Sequence, residues 1–353
     1  MHRREFLSLP NLATSAGHIL GLAGELAGET ETTSEQEIAW LRFSHPAMAT
    51  TFELIVPFGT ASAFDLADRV FNCIDASEAK LTVYREDSFV SELNRRAALE
   101  PVELDDELLA LLRLALQLHR ETEGAFDCAI HRLIECWGFF RGPPRVPEAR
   151  ERQRALSASG SRWLHLDEER RTLRFLRPGV ALNFGSIGKG YALDRAAALI
   201  REEGTCALLQ GGRSSVLAVG HPPGQPDGWC VAIRHPLQPQ RILAEVRLKD
   251  NALGTSAFTF RYLDWRGKTL GHILDPRTGW PASGMWSATA IAPTAAEADA
   301  LATAFFILGV DKTCQFCRTH PHYAAILLPE EAPAPLLVDE HGVTALPPVT
   351  TGQ

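Results

Sequence analysis

The chain has 353 residues, 45% of them hydrophobic and 22% charged, and a formal net charge of −8. That length holds one large domain or two ordinary ones, and the composition is that of a globular protein with a sizeable core. The acidic balance argues against a nucleic-acid binder, which would carry a basic face, and no run approaches the roughly 18 apolar residues of a membrane span.

The first forty residues differ from the rest. MHRREFLSLP pairs Arg3 and Arg4 ahead of Phe6 and Leu7, in the manner of a twin-arginine export signal. A modestly apolar ATSAGHILGLAGELAG and a polar ETETTSEQE follow. His18 and Glu25 interrupt the apolar part, so a disordered cytosolic N-terminus is the alternative to export into the periplasm or cell envelope. Residues 1–40 are accordingly set apart from a folded domain over 41–349.

TTFELIVP (50–57) alternates as a strand does. In SAFDLADRVFNCIDASEAKL (62–81), Phe64, Ala67, Val70, Phe71 and Ile74 recur at helical spacing. DDELLALLRLALQLHRETEG (105–124) reads as a helix capped by Asp105 or Asp106 and stopped by Gly124. Next, GAFDCAIHRLIECWGF carries Asp127 beside Phe126, and 162–185 reads as strands joined by a charged turn. NFGSIGKGYALD (183–194) sets glycines around Lys189 at the start of a helix running to Gly204. Such a turn turns backbone N–H groups toward an anion, although neither Walker nor dinucleotide spacing is present.

Short strands follow in TCALLQGG, SVLAVG, WCVAIRHP, ILAEVRLKD and WSATAIAP. The capping box Thr294-x-x-Glu297 opens a helix to Gly309, with a second short helix over DKTCQFCRTH. YAAILLP and the tail through Val349 complete the strands. Strand runs mixed with a few helices predict an α+β domain built on antiparallel sheet. The seven cysteines are scattered and odd in number, unlike a disulfide framework. Cys314 and Cys317 with His320 and His322 have zinc-like composition, but their spacing also suits one core-facing helix side.

Three places could carry chemistry. Lys189 stands in the Gly-rich turn. Asp299 and Thr303, four apart on one helix face, offer hard oxygen ligands suited to Mg²⁺. HILDPRTGWP holds His272 and Asp275 in a bend shaped by Pro276 and Gly279. Each alone also has an ordinary structural reading.

Their order along the chain is more specific. MATTFELIV, LTVYREDSFVSELNR, GAFDCAIHRLIECWGF, LNFGSIGKGYALDRAA, LLQGGRSSVLAVG, LGTSAFTFRY, HILDPRTGWP and APTAAEADALATAFFILG together resemble the ApbE family, the FAD:protein FMN transferases. The resemblance runs from about residue 42 to about 330 and implies a single α+β domain with a T-fold-like core. It implies transfer of the FMN half of FAD to a threonine hydroxyl of an acceptor flavoprotein, with Mg²⁺ bound and AMP released. By the same resemblance, Met48, Tyr84, Ala125, Phe126, Asp127, Asn183, Lys189 and Leu274 contact FAD. Asp299 and Thr303, with backbone oxygens of Ser186 and Ala302, hold the metal. His272 is the general base and Asp275 its orienting neighbour. An FAD pyrophosphatase giving FMN and AMP, or a catalytically weak FAD-binding module, are the alternatives. Three departures from the family pattern bear on them: Asn183 in place of Asp, Gly211-Gly212-Arg213 in place of GGD, and Thr255-Ser256-Ala257 in place of TSG.

Overall fold

The computed structural model describes residues 39–258, 262–340 and 342. The twin-arginine-like segment and the end of the expected C-terminal tail lie outside them.

The chain opens with β1 (Trp40–Ala47) and β2 (Thr50–Pro57), followed by α1 (Ala63–Leu81), α2 (Phe89–Arg96), β3 (Val102–Glu103), α3 (Asp106–Glu121), α4 (His131–Cys136) and α5 (Ala149–Ser157). It continues through β4 (Leu164–Asp167), β5 (Thr172–Phe175), α6 (Gly188–Glu202), β6 (Ala207–Gly211), β7 (Ser215–Val219), β8 (Trp229–Arg234) and β9 (Ile242–Leu248). Last come β10 (Ala252–Ala257), β11 (Tyr262–Trp265), β12 (Lys268–Gly271), β13 (Met285–Ala292), α7 (Ala295–Thr319), β14 (Ala324–Pro329) and β15 (Leu336–Val338).

Eight strands form one sheet in the order β1-β2-β6-β7-β10-β13-β14-β15, and every neighbouring pair is antiparallel. Side-chain alternation divides the core in two. Phe52, Leu54, Leu209 and Leu217 point to the inner face and bury with Val70 of α1, Leu193 of α6 and Phe305 of α7. Ile55, Leu208, Val216 and Leu253 point to the outer face, where Val231, Ile233 and Val246 of the β8–β9 ribbon cover them. The expected α+β class is thus what forms.

Local signals held where they were strongest. Asp105 caps α3 by accepting from the Leu108 N–H, and the Thr294–Glu297 capping box is complete. The two helices expected around Gly309 meet there at a kink, where Gly309 has φ 75°. One detail is corrected. The α1 stripe is carried by Leu66, Ala67, Val70, Phe71 and Ile74, whereas Phe64 is 59% exposed and meets Phe43 of β1 edge-on. By length and composition α7 passes as a membrane span, which the search for apolar runs did not anticipate; its Leu301, Phe305 and Phe306 are buried in the main core.

Two glycines set the depth of α7. A Cβ on Gly190 would collide with the Ala295 carbonyl, and one on Gly254 with the Ala298 carbonyl. Only glycine lets α6 and β10 lie directly against the first turns of α7. That close approach fixes where Asp299 stands.

Candidate functional site

A cleft of about 1250 Å³ opens at one end of the main sheet. It exceeds the roughly 300–1,000 Å³ of ordinary small-molecule pockets, so it has room for a dinucleotide. Tyr84, Ala125, Asp127, Asn183, Ser186, Lys189, His272, Leu274, Asp299 and Thr303 all line it. Met48, Phe126, Asp275 and Ala302 of the expected set are not among the residues that line it. Phe126 and Ala302 are each 1% exposed. Met48 occupies the two-residue β1–β2 turn with φ 48° and donates its N–H to Glu78 Oε2 at 2.8 Å.

The loop before α6 is held by a relay. Asn183 Oδ1 accepts from the Gly185 N–H at 2.8 Å, which turns its amide nitrogen to His131 Nδ1 at 3.2 Å. His131 Nε2 faces Glu135 Oε1 at 3.5 Å. An amide nitrogen only donates, so a neutral His131 carries its proton on Nε2, toward Glu135. The His131 hydrogen bond, with help from Arg132, pulls the Glu135 carboxyl down to about 2. Asn183 therefore keeps a positioning role without a charge. The loop presents Ser186, then Lys189 and the N-terminus of α6, where anions are favoured.

Asp299 is 6% exposed. Its carboxylate accepts from the Gly190 N–H at 2.8 Å and the Ser215 hydroxyl at 2.6 Å, with Lys189 Nζ at 3.9 Å. One turn on, Thr303 Oγ1 lies 3.1 Å from Ser256 Oγ and 3.4 Å from the Asp299 carbonyl. The donors gathered here are a carboxylate and hydroxyls, all oxygen. Among the described residues no three His, Cys, Asp or Glu side chains cluster as a metal cage. This set suits Mg²⁺, which commonly takes one or two carboxylates and completes its shell with water and substrate phosphate oxygens. Sequence reading missed Ser215 and Ser256. The alternation of β7 and β10 points both to the inner face, beneath α7, a placement that the sheet register decides.

Near Asp299 lies a second, half-buried carboxylate that the sequence did not single out. Asp194 of α6 accepts from the N–H groups of Ala295 and Ala296 at 2.7 and 2.8 Å, holding the first turn of α7. Burial, and then the nearby charges of Asp299 and Glu297, push its carboxyl up to about 7 against those hydrogen bonds. An acid with a raised folded pKa holds its proton longer folded than unfolded. Stability through this group is therefore highest below about pH 4, falls as pH rises to about 7, and is flat above. In chelator, the melting temperature of wild type minus that of Asp194→Asn should be larger at pH 5 than at pH 8. Equal differences at the two pH values would refute the raised carboxyl.

His272 follows β12 and meets Phe139 edge-on at 6.4 Å. The bend after it is rigid. Asp275 accepts from Arg277 through its backbone N–H, Nε and Nη2, each at 2.9 Å. The Gly279 N–H donates to the Asp275 carbonyl at 2.8 Å, Gly279 has φ 71°, and Trp137 Nε1 donates to the Gly279 carbonyl at 3.0 Å. Both oxygens of Asp275 are engaged by Arg277, so this carboxylate builds the bend that carries His272.

The segment 125–127 is equally tied down. Asp127 accepts from the N–H groups of Ala129 and Ser161, the Ser161 hydroxyl and, at 3.2 Å, His119 Nδ1. Burial raises the Asp127 carboxyl, but these partners outweigh it and hold it below the usual carboxylate range. Across the cleft, Tyr84 is 54% exposed and packs on Phe140, over which Arg141 lies. Phe140 and Arg141 escaped the sequence reading because nothing in their local pattern separates them from a surface loop.

The same cleft is lined by Gly212, Arg213 and Ser214 of the β6–β7 turn, by Thr255 and Ser287 of the sheet, and by β8 residues from Cys230 to Arg234.

Comparison with known proteins gives the family and the fold. The model of the ApbE family matches residues 48–327. The FAD:protein FMN transferase of Salmonella typhimurium is 29% identical, the match covering 75% of this chain and 77% of that one. That of Treponema pallidum is 30% identical over 74% and 76% of the two chains. Among solved structures, the ApbE protein of Thermotoga maritima superposes with a TM-score of 0.78 at 28% identity, over 86% of this chain and 97% of that one. The flavinyl transferase ApbE of Pseudomonas stutzeri, in its apo form, gives 0.75 at 26% identity, over 86% and 96%.

Proposed function

The chain belongs to the ApbE family, and from that premise we propose that it moves the FMN half of FAD onto a threonine hydroxyl of an acceptor flavoprotein, with Mg²⁺ bound and AMP released. The observation that carries this reading is that one cleft gathers Lys189, His272, Asp299 and Thr303, which are far apart in sequence.

In the proposed step the threonine Oγ attacks the FMN-side phosphorus of the FAD pyrophosphate. The bond from that phosphorus to the AMP oxygen breaks, and AMP leaves with the electron pair. His272 takes the threonine proton, which a positioned imidazole does at a gain of about 10²–10⁴-fold. The locked Asp275–Arg277 bend keeps the imidazole aimed. Lys189 and the α6 N-terminus face the phosphates, where charge builds as AMP departs. Asp299 and Thr303, with main-chain oxygens of Ser186 and Ala302, would hold Mg²⁺. Bound there, the ion neutralises pyrophosphate charge. Tyr84, Phe139 and Leu274 supply ring-sized apolar wall for the flavin and adenine. The twin-arginine-like N-terminus places the same reaction, in this proposal, outside the cytoplasm.

The test incubates the purified chain with FAD, Mg²⁺ and an acceptor flavoprotein, then looks for flavin fluorescence on the acceptor in a denaturing gel. A fluorescent band that needs both Mg²⁺ and the acceptor threonine is expected. FMN and AMP appearing equally fast without acceptor would replace transfer by hydrolysis, and bound FAD with no turnover would leave a flavin-binding module.

A further inference from the structure

We infer that the threonine segment of the acceptor flavoprotein binds as an added β-strand along the free edge of β8. This rests on the transfer reading and concerns the partner of that same cleft.

The first observation is the shape of β8. Among the described residues it pairs with β9 and with no other strand. Its side chains alternate between buried and exposed. Yet every residue from Cys230 to Pro236 lines the cleft. Side chains that alternate between two faces put an unbroken run of residues on a cavity wall only when the backbone edge itself faces the cavity. The edge carries unpaired N–H and C=O groups, and strand WCVAIR has no Pro or Lys within it to block pairing. An extended peptide satisfies such an edge through its own main chain.

The second observation is the floor opposite. Thr255 pairs with Thr289, and Ala257 with Ser287, so these residues share the outer face at the open end of the sheet. The Thr255 and Thr289 hydroxyls bond each other at 2.9 Å. Ser287 is 2% exposed, lines the cleft, and its hydroxyl has no hydrogen-bond partner. A buried hydroxyl without a partner is destabilising, and a polar main chain laid across the floor would satisfy it.

The occupant follows from continuity. The edge of β8 and the floor at Ser287 open into the same cleft as His272, Lys189 and Asp299. Whatever lies along β8 is therefore led to the place where the hydroxyl must meet the pyrophosphate. On the transfer reading FAD fills the end of this cleft at Lys189, His272 and Asp299, which leaves the β8 end for the acceptor.

The experiment uses the full chain and a synthetic peptide carrying the threonine segment of whichever acceptor becomes fluorescent in the transfer assay. If no acceptor is labelled, the transfer reading fails before the edge is tested. Single N-methyl groups are placed on successive peptide amides. Strand addition predicts alternation, with every second N-methylation raising the peptide KM at least about tenfold and those between tolerated, while FAD affinity is unchanged. A second measurement uses the exposed thiol of Cys230. The peptide should slow its alkylation, judged against Cys230→Ser as the unreactive control. N-methylation tolerated at all positions, or no protection of Cys230, overturns the inference. Protection of Cys230 that grows with the concentration of the chain alone would make the edge a self-association surface, and overturns it too.

Discussion

His272→Ala should lower flavin transfer by about 10²–10⁴-fold, the range of general-base catalysis, with FAD affinity within a few fold of wild type. On the proposed function the two readouts separate, because His272 follows β12, whereas Lys189 and Tyr84, proposed to hold FAD, line the cleft on other segments and remain. The bend itself should survive the change. Its hydrogen bonds run through Asp275, Arg277, Gly279 and Trp137, none of which uses the imidazole. The loss should therefore appear in kcat, with little change in KM for FAD. Arg277→Ala is the contrasting case. It frees the Asp275 carboxylate and loosens the bend, so a smaller loss is expected, accompanied by a lower melting temperature. If His272→Ala transfers flavin within threefold of wild type, the proton acceptor lies elsewhere in the cleft.

Asp299→Asn should reduce transfer by about 10³-fold and weaken its response to Mg²⁺. A bound ion contributes several kcal/mol of charge stabilisation, and each 1.4 kcal/mol or so is a factor of ten in rate. Asparagine is the informative replacement. It keeps an oxygen to accept from the Gly190 N–H or the Ser215 hydroxyl. Alanine would strand both donors, at about 1–3 kcal/mol for each buried group, and mix stability with catalysis. The check is a Mg²⁺ titration of the transfer rate beside a melting curve. Unchanged half-saturation by Mg²⁺ in a folded Asp299→Asn protein would remove this carboxylate from the ion's ligands. Thr303→Val should shift the same titration less, because it removes a neutral ligand and leaves Ser256 without one partner.

Much of this was legible in the residues. Elements with a strong local signal read correctly: α3, whose cap was Asp105 of the two aspartates offered, the Thr294–Glu297 box, the break at Gly309, and the strands of 207–248. β1, α2, α4 and α5 did not, because their apolar positions are few and irregular and tertiary contacts decide them. Of the candidate site, the residues named from the sequence largely line one cleft. The partners that hold them were not named.

What the sequence determined by itself was the set of candidate groups and the order of elements that carry them. Local propensity, capping and periodicity are properties of neighbouring residues, and His272, Lys189, Asp299 and Thr303 sit in recognisable local patterns. What only the tertiary structure decided was who faces whom. Ser215 reaches Asp299 across 84 positions and Ser256 reaches Thr303 across 47. Asp275 belongs to Arg277, and among the described residues β8 pairs with β9 alone. Such pairings depend on sheet register and on the depth at which Gly190 and Gly254 let α7 settle. Both arise from close packing between segments distant in the chain, and no local pattern encodes them.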